Sequence, residues 1–327
     1  MTSYAELHEG ARRNTRRLVL LLAAAIAAVV LELFLAVRLF SSTEPRTPSD
    51  DLETLLTVGA VTLGFVGLAA LFKLAQLRGG GPAVAEMAGG RVIAAGTPEP
   101  AERTLRAVVD ELAIASALPV PAVYVLDREP GLNAFAAGLT PQDAAVAVTR
   151  GMLRGLNREE LKGVVAHEFA HIRNGDTRLN TRLIALQFGL LAVGVTGLGI
   201  TLVASRVRTR RKEEAGIKLF LFVAGLVLAA VGFLGVLKAR LIQAAVSRQR
   251  EFLADASAVE LTANPAGLVS ALRKLGAAPT GSTLDTARAG EIGHLLFGSG
   301  RRATPFDLFS THPPLEERIR RLEGGTA

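Results

Sequence analysis

Four apolar stretches of about 20 residues each limit what this chain can fold into: Leu18 to Val37, Thr54 to Phe72, Leu183 to Ala204 and Leu219 to Leu237. A helix of that length spans the hydrocarbon core of a bilayer. With 50% hydrophobic residues, no tryptophan and a mean hydropathy of +0.35, the chain is too apolar for an ordinary soluble enzyme. The first two stretches, joined by a short polar loop, predict a helical hairpin in a membrane. Glu32 is the only charge in the first. Its place near one end favours snorkelling to the interface over a packing or gating role.

Charge orients this hairpin. Arg12, Arg13, Arg16 and Arg17 precede the first stretch, whereas the loop after it carries Arg46 against Glu44, Asp50 and Asp51. The positive-inside rule then puts the N-terminus and everything from Lys73 onward on the cytoplasmic side of a multi-pass plasma (inner) membrane protein. A cleaved signal peptide is disfavoured by the length of the apolar core and the second span close behind it.

The chemistry is concentrated in His167-Glu168-Phe169-Ala170-His171. Residues four apart on a helix share a face, so both imidazoles can bind one Zn²⁺ while Glu168 stands beside a water on that metal. The flanks predict the helix. Asn157 and Glu160 form a capping box, and Asn174-Gly175 supplies the stop, giving a helix over about 158–173. Leu161, Val165, Phe169 and Ile172 form its packing stripe, beside the one carrying Val164, His167, Glu168 and His171.

A catalytic zinc site needs a third protein ligand and an open position. The chain has no cysteine, so that ligand is His, Asp or Glu. The segment SRQREFLAD, residues 247–255, offers Glu251 and Asp255 at helical spacing. Glu251 completes a His₂Glu set, and Asp255, one turn on, is placed to accept the second ring N–H of a metal-bound histidine. The alternative is a solvated charge cluster with Arg248 and Arg250.

Four motifs in order, GLNAFAAG (131–138), HEFAHIRNGD (167–176), SRQREFLAD (247–255) and THPPLEER (311–318), resemble those of the HtpX-like membrane zinc endopeptidases. Relatives of that group include the CAAX prenyl endopeptidases. The resemblance runs from about residue 85 to 323. It implies one Zn²⁺ per chain on His167, His171 and Glu251, with Glu168 activating water and then protonating the leaving amine. It implies that Asn133, Ala134, Phe135 and Ala136 form an edge to which a substrate peptide adds as a strand. It also implies that His312 and Arg318 lie near the active site and steady the oxyanion, although a turn in which Pro313 and Pro314 open a helix explains the same residues equally well. Substrates implied are membrane or misfolded proteins, cut for quality control. His8 and His294 match no motif.

Because both ligand helices must meet at one metal, the segment between them crosses the membrane twice or not at all. Its connector carries Arg206, Arg208, Arg210, Arg211 and Lys212, which conflicts with the charge rule, so a re-entrant hairpin is the rival to two spans. The expected organisation is a hairpin over 1–78, a first part of the peptidase domain over 79–182, a second hydrophobic hairpin over 183–237 and the remainder of the peptidase domain over 238–327. The fold class is an α+β metallopeptidase domain with membrane-spanning helices. Gly79 to Pro82 and Gly89-Gly90 read as a linker, Leu105 to Leu118 as a helix, Pro121 to Leu126 and Ala144 to Val148 as strands, 277–311 as a mobile stretch over the site, and Pro314 to Leu322 as a closing helix.

The net charge of +7 clusters beside the apolar spans, so a lipid bilayer, not nucleic acid, is the partner it implies. No P-loop glycine motif is present, which argues against a nucleotide partner. The expected function is thus a zinc metalloendopeptidase acting on proteins. The rivals are a CAAX-type prenyl endopeptidase, and a non-catalytic zinc-binding scaffold or chaperone marked by a fourth protein ligand that closes the metal site.

Overall fold

The computed structural model describes residues 4–40, 47–208, 212–278, 297 and 312–324. The chain divides into two compact units. One contains residues 1–15, 76–182 and 244–327, the other 16–75 and 183–243.

The first unit is built on a sheet ordered β1-β2-β4-β3, made of β1 (Arg91–Val92), β2 (Ala122–Leu126), β3 (Ala134–Ala137) and β4 (Ala145–Thr149). β2 and β4 run parallel, Ala122 opposite Ala145, while β3 pairs antiparallel with β4, Ala134 opposite Val148. β3 is therefore an edge strand. All residues of β3 and β4 are buried, which suits their unbroken small and apolar sequences.

Helix α4 (Pro100–Ser116) packs on the short α5 (Arg150–Gly155) and on α6 (Arg158–Arg173), and α6 packs on α9 (Pro265–Ala277). Their core includes Val108 and Leu112 of α4, Val164, Val165 and Phe169 of α6, and Leu268 and Leu272 of α9. Gly163 permits the close crossing, since a Cβ there would lie 2.7 Å from the Leu268 backbone nitrogen. The capping box at Asn157 and Glu160 starts α6, with Asn157 Oδ1 accepting from Glu160 N at 3.0 Å and Glu160 Oε2 from Asn157 N at 2.8 Å. Gly175, at φ 73°, ends it in the left-handed region. The packing stripe expected on α6 lies in the core, and burial extends beyond it: Val164, His167 and Glu168 are as hidden as Phe169.

Two expectations are corrected. Gly80 to Met87 is a helix, α3, packed on β4 and β3, not a linker. Its glycines serve close approach, since a Cβ on Gly81 would collide with Ala145 N and Ala137 O. The expected strand at Pro121 begins one residue later, and β1 and β3 join it in the sheet. The closing helix, α10, runs Leu315–Gly324 and packs on α9. The stretch 277–311 lies outside the described residues apart from Ala277, Ala278 and Phe297, as do the side chain of His8 and all of His294.

The second unit gathers the apolar parts of four helices: α1 (Tyr4–Phe40), α2 (Pro48–Gln76), α7 (Asp176–Arg206) and α8 (Lys212–Thr262). Each is long and apolar enough to cross a membrane, over Val19–Leu39, Pro48–Gln76, Asp176–Arg206 and Glu214–Ala244. α7 and α8 meet through small residues, Gly194 and Gly197 against Gly225, Ala229 and Gly232. Gln187 Nε2 donates to Gln243 Oε1 at 2.6 Å, satisfying two polar groups in apolar surroundings. Glu32 does not snorkel alone, because it pairs with Lys238. An ion pair offsets the cost of a charge within an apolar helix more fully than a single reaching side chain.

Candidate metal centre

Four elements of the first unit bring the chemistry together: α6 carries His167, Glu168 and His171; α8 carries Arg250, Glu251 and Asp255; α10 follows His312 and carries Arg318; and β3 contributes Ala136. His167 Nε2 and His171 Nε2 lie 3.1 Å apart. Glu251 Oε2 is 3.4 Å from His167 Nε2, and its Oε1 is 3.5 Å from His171 Nε2. Ligand atoms of these three residues all fall within 4.8 Å of one another.

The other ring nitrogens assign the tautomers. His167 Nδ1 is 2.9 Å from Asp255 Oδ1, and His171 Nδ1 is 2.8 Å from Asp176 Oδ2. Each Nδ1–H donates to a carboxylate, which leaves both Nε2 lone pairs facing each other and Glu251. Acceptors converging this closely repel one another unless they share a cation. A donor set of two imidazoles and a carboxylate, without thiolate, suits a borderline divalent metal such as zinc. Glu168 Oε1, buried beside the cluster, has no hydrogen-bond partner among the described residues. The residues present therefore fit a metal.

Burial pushes the Glu168 carboxyl up, against the pull of His171 and His167. For Glu251 burial acts the same way, but His312, His167 and His171 together hold it well below the ordinary range. Asp255 is also buried, and the Arg318 guanidinium outweighs that burial, holding it at about 2. Glu168, His171, Glu251, His312 and Ala136, with Asp176 and Arg250 at its border, line a cavity of about 20 Å³, room for roughly one water-sized molecule.

His312 reaches this cavity, with Nδ1 2.8 Å from Glu251 Oε2. Arg318 does not line it. The fully buried guanidinium forks onto Asp255, donating from Nε at 2.8 Å and Nη2 at 2.6 Å, and its Nη1 donates to Phe297 O at 3.1 Å. This differs from the oxyanion contact expected by resemblance, because a bidentate carboxylate already occupies the fork. Of the expected peptide edge, Ala136 faces the cavity, whereas Asn133, Ala134 and Phe135 are buried away from it. Asn133 Oδ1 accepts from Ala134 N and Phe297 N, each at 2.9 Å, and Phe297 N also donates to Ala134 O at 2.8 Å. The Phe297 ring stands edge-on to His167 with centroids 5.1 Å apart.

Sequence reasoning missed Asp176, Arg250 and Phe297. In the sequence Asp176 figures only as the last residue of HEFAHIRNGD, and Arg250 only in the alternative of a solvated charge cluster. The signal available for Asp176 is a carboxylate just past the helix end that carries His171, a position from which it can reach back to that ring.

An HExxH helix, a carboxylate from a distant helix and a buried glutamate in one cavity define the class, a metallopeptidase. The model of peptidase family M48 matches residues 99–326. A protease HtpX homolog of Limosilactobacillus fermentum is 44% identical over 217 residues, covering 66% of this chain and 71% of its own. A protease HtpX homolog of Streptococcus uberis is 40% identical over 220 residues, with the same coverage. The crystal structure of S. mikatae Ste24p is similar over 96% of this chain and 66% of that one, at 19% identity and a TM-score of 0.43. The chain belongs to peptidase family M48. With its four apolar helices it is a membrane metallopeptidase, and its substrates are peptides or proteins.

Proposed function

We propose that this protein is a zinc-dependent endopeptidase in which His167, His171 and Glu251 hold one Zn²⁺ and Glu168 is the general base. The observation that carries the reading is the convergence of the two Nε2 atoms and the Glu251 carboxylate beside the unpartnered, buried Glu168 Oε1. When bound, the metal supplies a Lewis acid that polarises the scissile carbonyl and acidifies water.

Glu168 takes a proton from the attacking water and delivers it to the leaving amine nitrogen. His312, which lines the same cavity, donates to the oxygen of the tetrahedral intermediate. Arg318 acts at one remove: it grips Asp255, and Asp255 holds the His167 ring in the tautomer that presents Nε2. A substrate peptide adds as a strand along β3, with the Ala136 backbone as the register point beside the cavity.

The proposed setting is the plasma membrane, with the N-terminus and the metal centre facing the cytoplasm. The arginines before the first apolar helix support that orientation. Residues 1–78 and 183–237 are assigned as two membrane hairpins in contact with lipid, and 79–182 with 238–327 as the two parts of the peptidase domain. The proposed substrates are membrane or misfolded proteins, and the role is quality control. Metal analysis of purified variants tests the site. His167→Ala and Glu251→Ala should lose zinc, whereas Glu168→Gln should retain it. Full zinc content in both ligand variants would contradict the assignment.

A further inference from the structure

Each metal-facing histidine has its own carboxylate, and each carboxylate has its own arginine. For His167 these are Asp255 and Arg318. For His171 the carboxylate is Asp176, the first residue of α7, whose Oδ2 lies 2.8 Å from His171 Nδ1. The other Asp176 oxygen pairs with Arg250, which also donates from Nη2 to Asn174 O at 3.1 Å. Both side chains are buried. An aspartate at a helix start is ordinarily explained by the exposed N–H groups there. Here its two oxygens are committed instead to an imidazole and a guanidinium, and Arg250 directly precedes Glu251 on α8.

We propose that Asp176 and Arg250 are a second pair of positioning residues of the metal centre. Asp176 accepts the His171 Nδ1–H and so keeps Nε2 available as a metal ligand, while Arg250 fixes Asp176 and links it to the helix that bears Glu251. The inference rests on the zinc reading above. Both side chains also border the cavity, but their polar groups are committed to His171, to each other and to Asn174 O, so the inference predicts that they serve the ligand ring and not the reacting atoms, with Arg250 acting through Asp176.

The test uses full-length, detergent-purified protein, with zinc affinity measured by chelator competition and ligand geometry read from the absorption bands of the cobalt-substituted protein. Asp176→Ala should weaken zinc binding roughly 10- to 100-fold and shift the cobalt bands. Asp176→Asn, which keeps an acceptor for His171 but turns an amide NH₂ toward Arg250, should fall between Asp176→Ala and wild type. Arg250→Gln should weaken binding less than Asp176→Ala, and the double variant should be no weaker than Asp176→Ala alone. If Asp176→Ala fails to fold, as judged by thermal unfolding of the metal-free form, Asp176→Asn decides. Wild-type zinc affinity and cobalt bands in Asp176→Asn and Asp176→Ala, with Asp255→Ala weakened, would overturn this inference and leave the zinc reading standing. A wild type that binds no zinc would overturn both.

Discussion

The two units turn their large apolar side chains in opposite directions, inward in the first and largely outward in the second. In the first, Leu, Val and Phe fill the interior, and the buried charges sit in defined sets: Asp255 with Arg318, Asp176 with Arg250, and Glu102 with Arg91 and Arg150. In the second, large apolar side chains such as Leu20, Leu39, Leu68 and Leu219 point outward, each more than 60% exposed, and the helices approach through glycine. Water explains the first pattern. Only an apolar surrounding explains the second, because so much outward leucine would drive aggregation in water. Stability in the first unit therefore comes from core burial and paired charges, whereas the second depends on close backbone packing. The chemistry sits in the unit where charges can be buried and held.

The largest expected effect lies in that unit. Glu168→Gln removes the proposed base without disturbing the ligands, so turnover should fall by on the order of 10²- to 10⁴-fold while metal content is unchanged. Peptide cleavage rates beside metal analysis check this, and retained turnover would contradict the assignment.

Next is the ion network away from the metal. Burial raises the Glu102 carboxyl, but hydrogen bonds from Arg91, Thr97 and Arg150 outweigh it and lower it from 4.5 to about 2. Because the folded value is depressed, its stabilisation is complete above about 4.5 and is lost as pH falls toward 2. At neutral pH the shift corresponds to at most roughly 3 kcal/mol, because Arg91 is half exposed and solvent screens its share. Glu102→Gln should therefore lower the thermal midpoint at pH 7, and the gap to wild type should close between pH 4.5 and 2. A gap that ignores pH would remove Glu102 from the account.

The smallest effect tests the other unit. A Cβ at Gly197 would collide with Ala229 N and Gly225 O, whereas Gly199 has nothing within 4 Å. Gly197→Leu should cost about 1–3 kcal/mol in detergent, and Gly199→Leu close to nothing. Equal effects would mean that the helices do not depend on this contact.

What the sequence makes legible follows from how local the physics is. Asn157, Glu160 and Gly175 delimit α6 by short-range hydrogen bonding and backbone conformation, so the helix can be read residue by residue. The pairing of Glu251 with the two histidines follows from a count of donors that zinc requires. The missed features depend on distant partners. β1 is only two residues long and exists because Arg91 and Val92 find Val125 and Tyr124. β3 is Ala-Phe-Ala-Ala, with no β-branched residue, so the edge expected there by resemblance is not legible in its own residues and is a strand because β4 pairs with it. α3 opens at a run of glycines that reads as a break until the sheet beneath it is known. Arg250 resembles a surface charge because Asp176 is 74 residues away.

The most direct test of the central claim is cleavage of casein, an unfolded protein, by detergent-purified full-length protein. Zinc-loaded wild type, chelator-treated wild type and Glu168→Gln are compared. Cleavage by the zinc-loaded wild type alone is the predicted result. Equal cleavage after chelation, or by Glu168→Gln with zinc still bound, would contradict it.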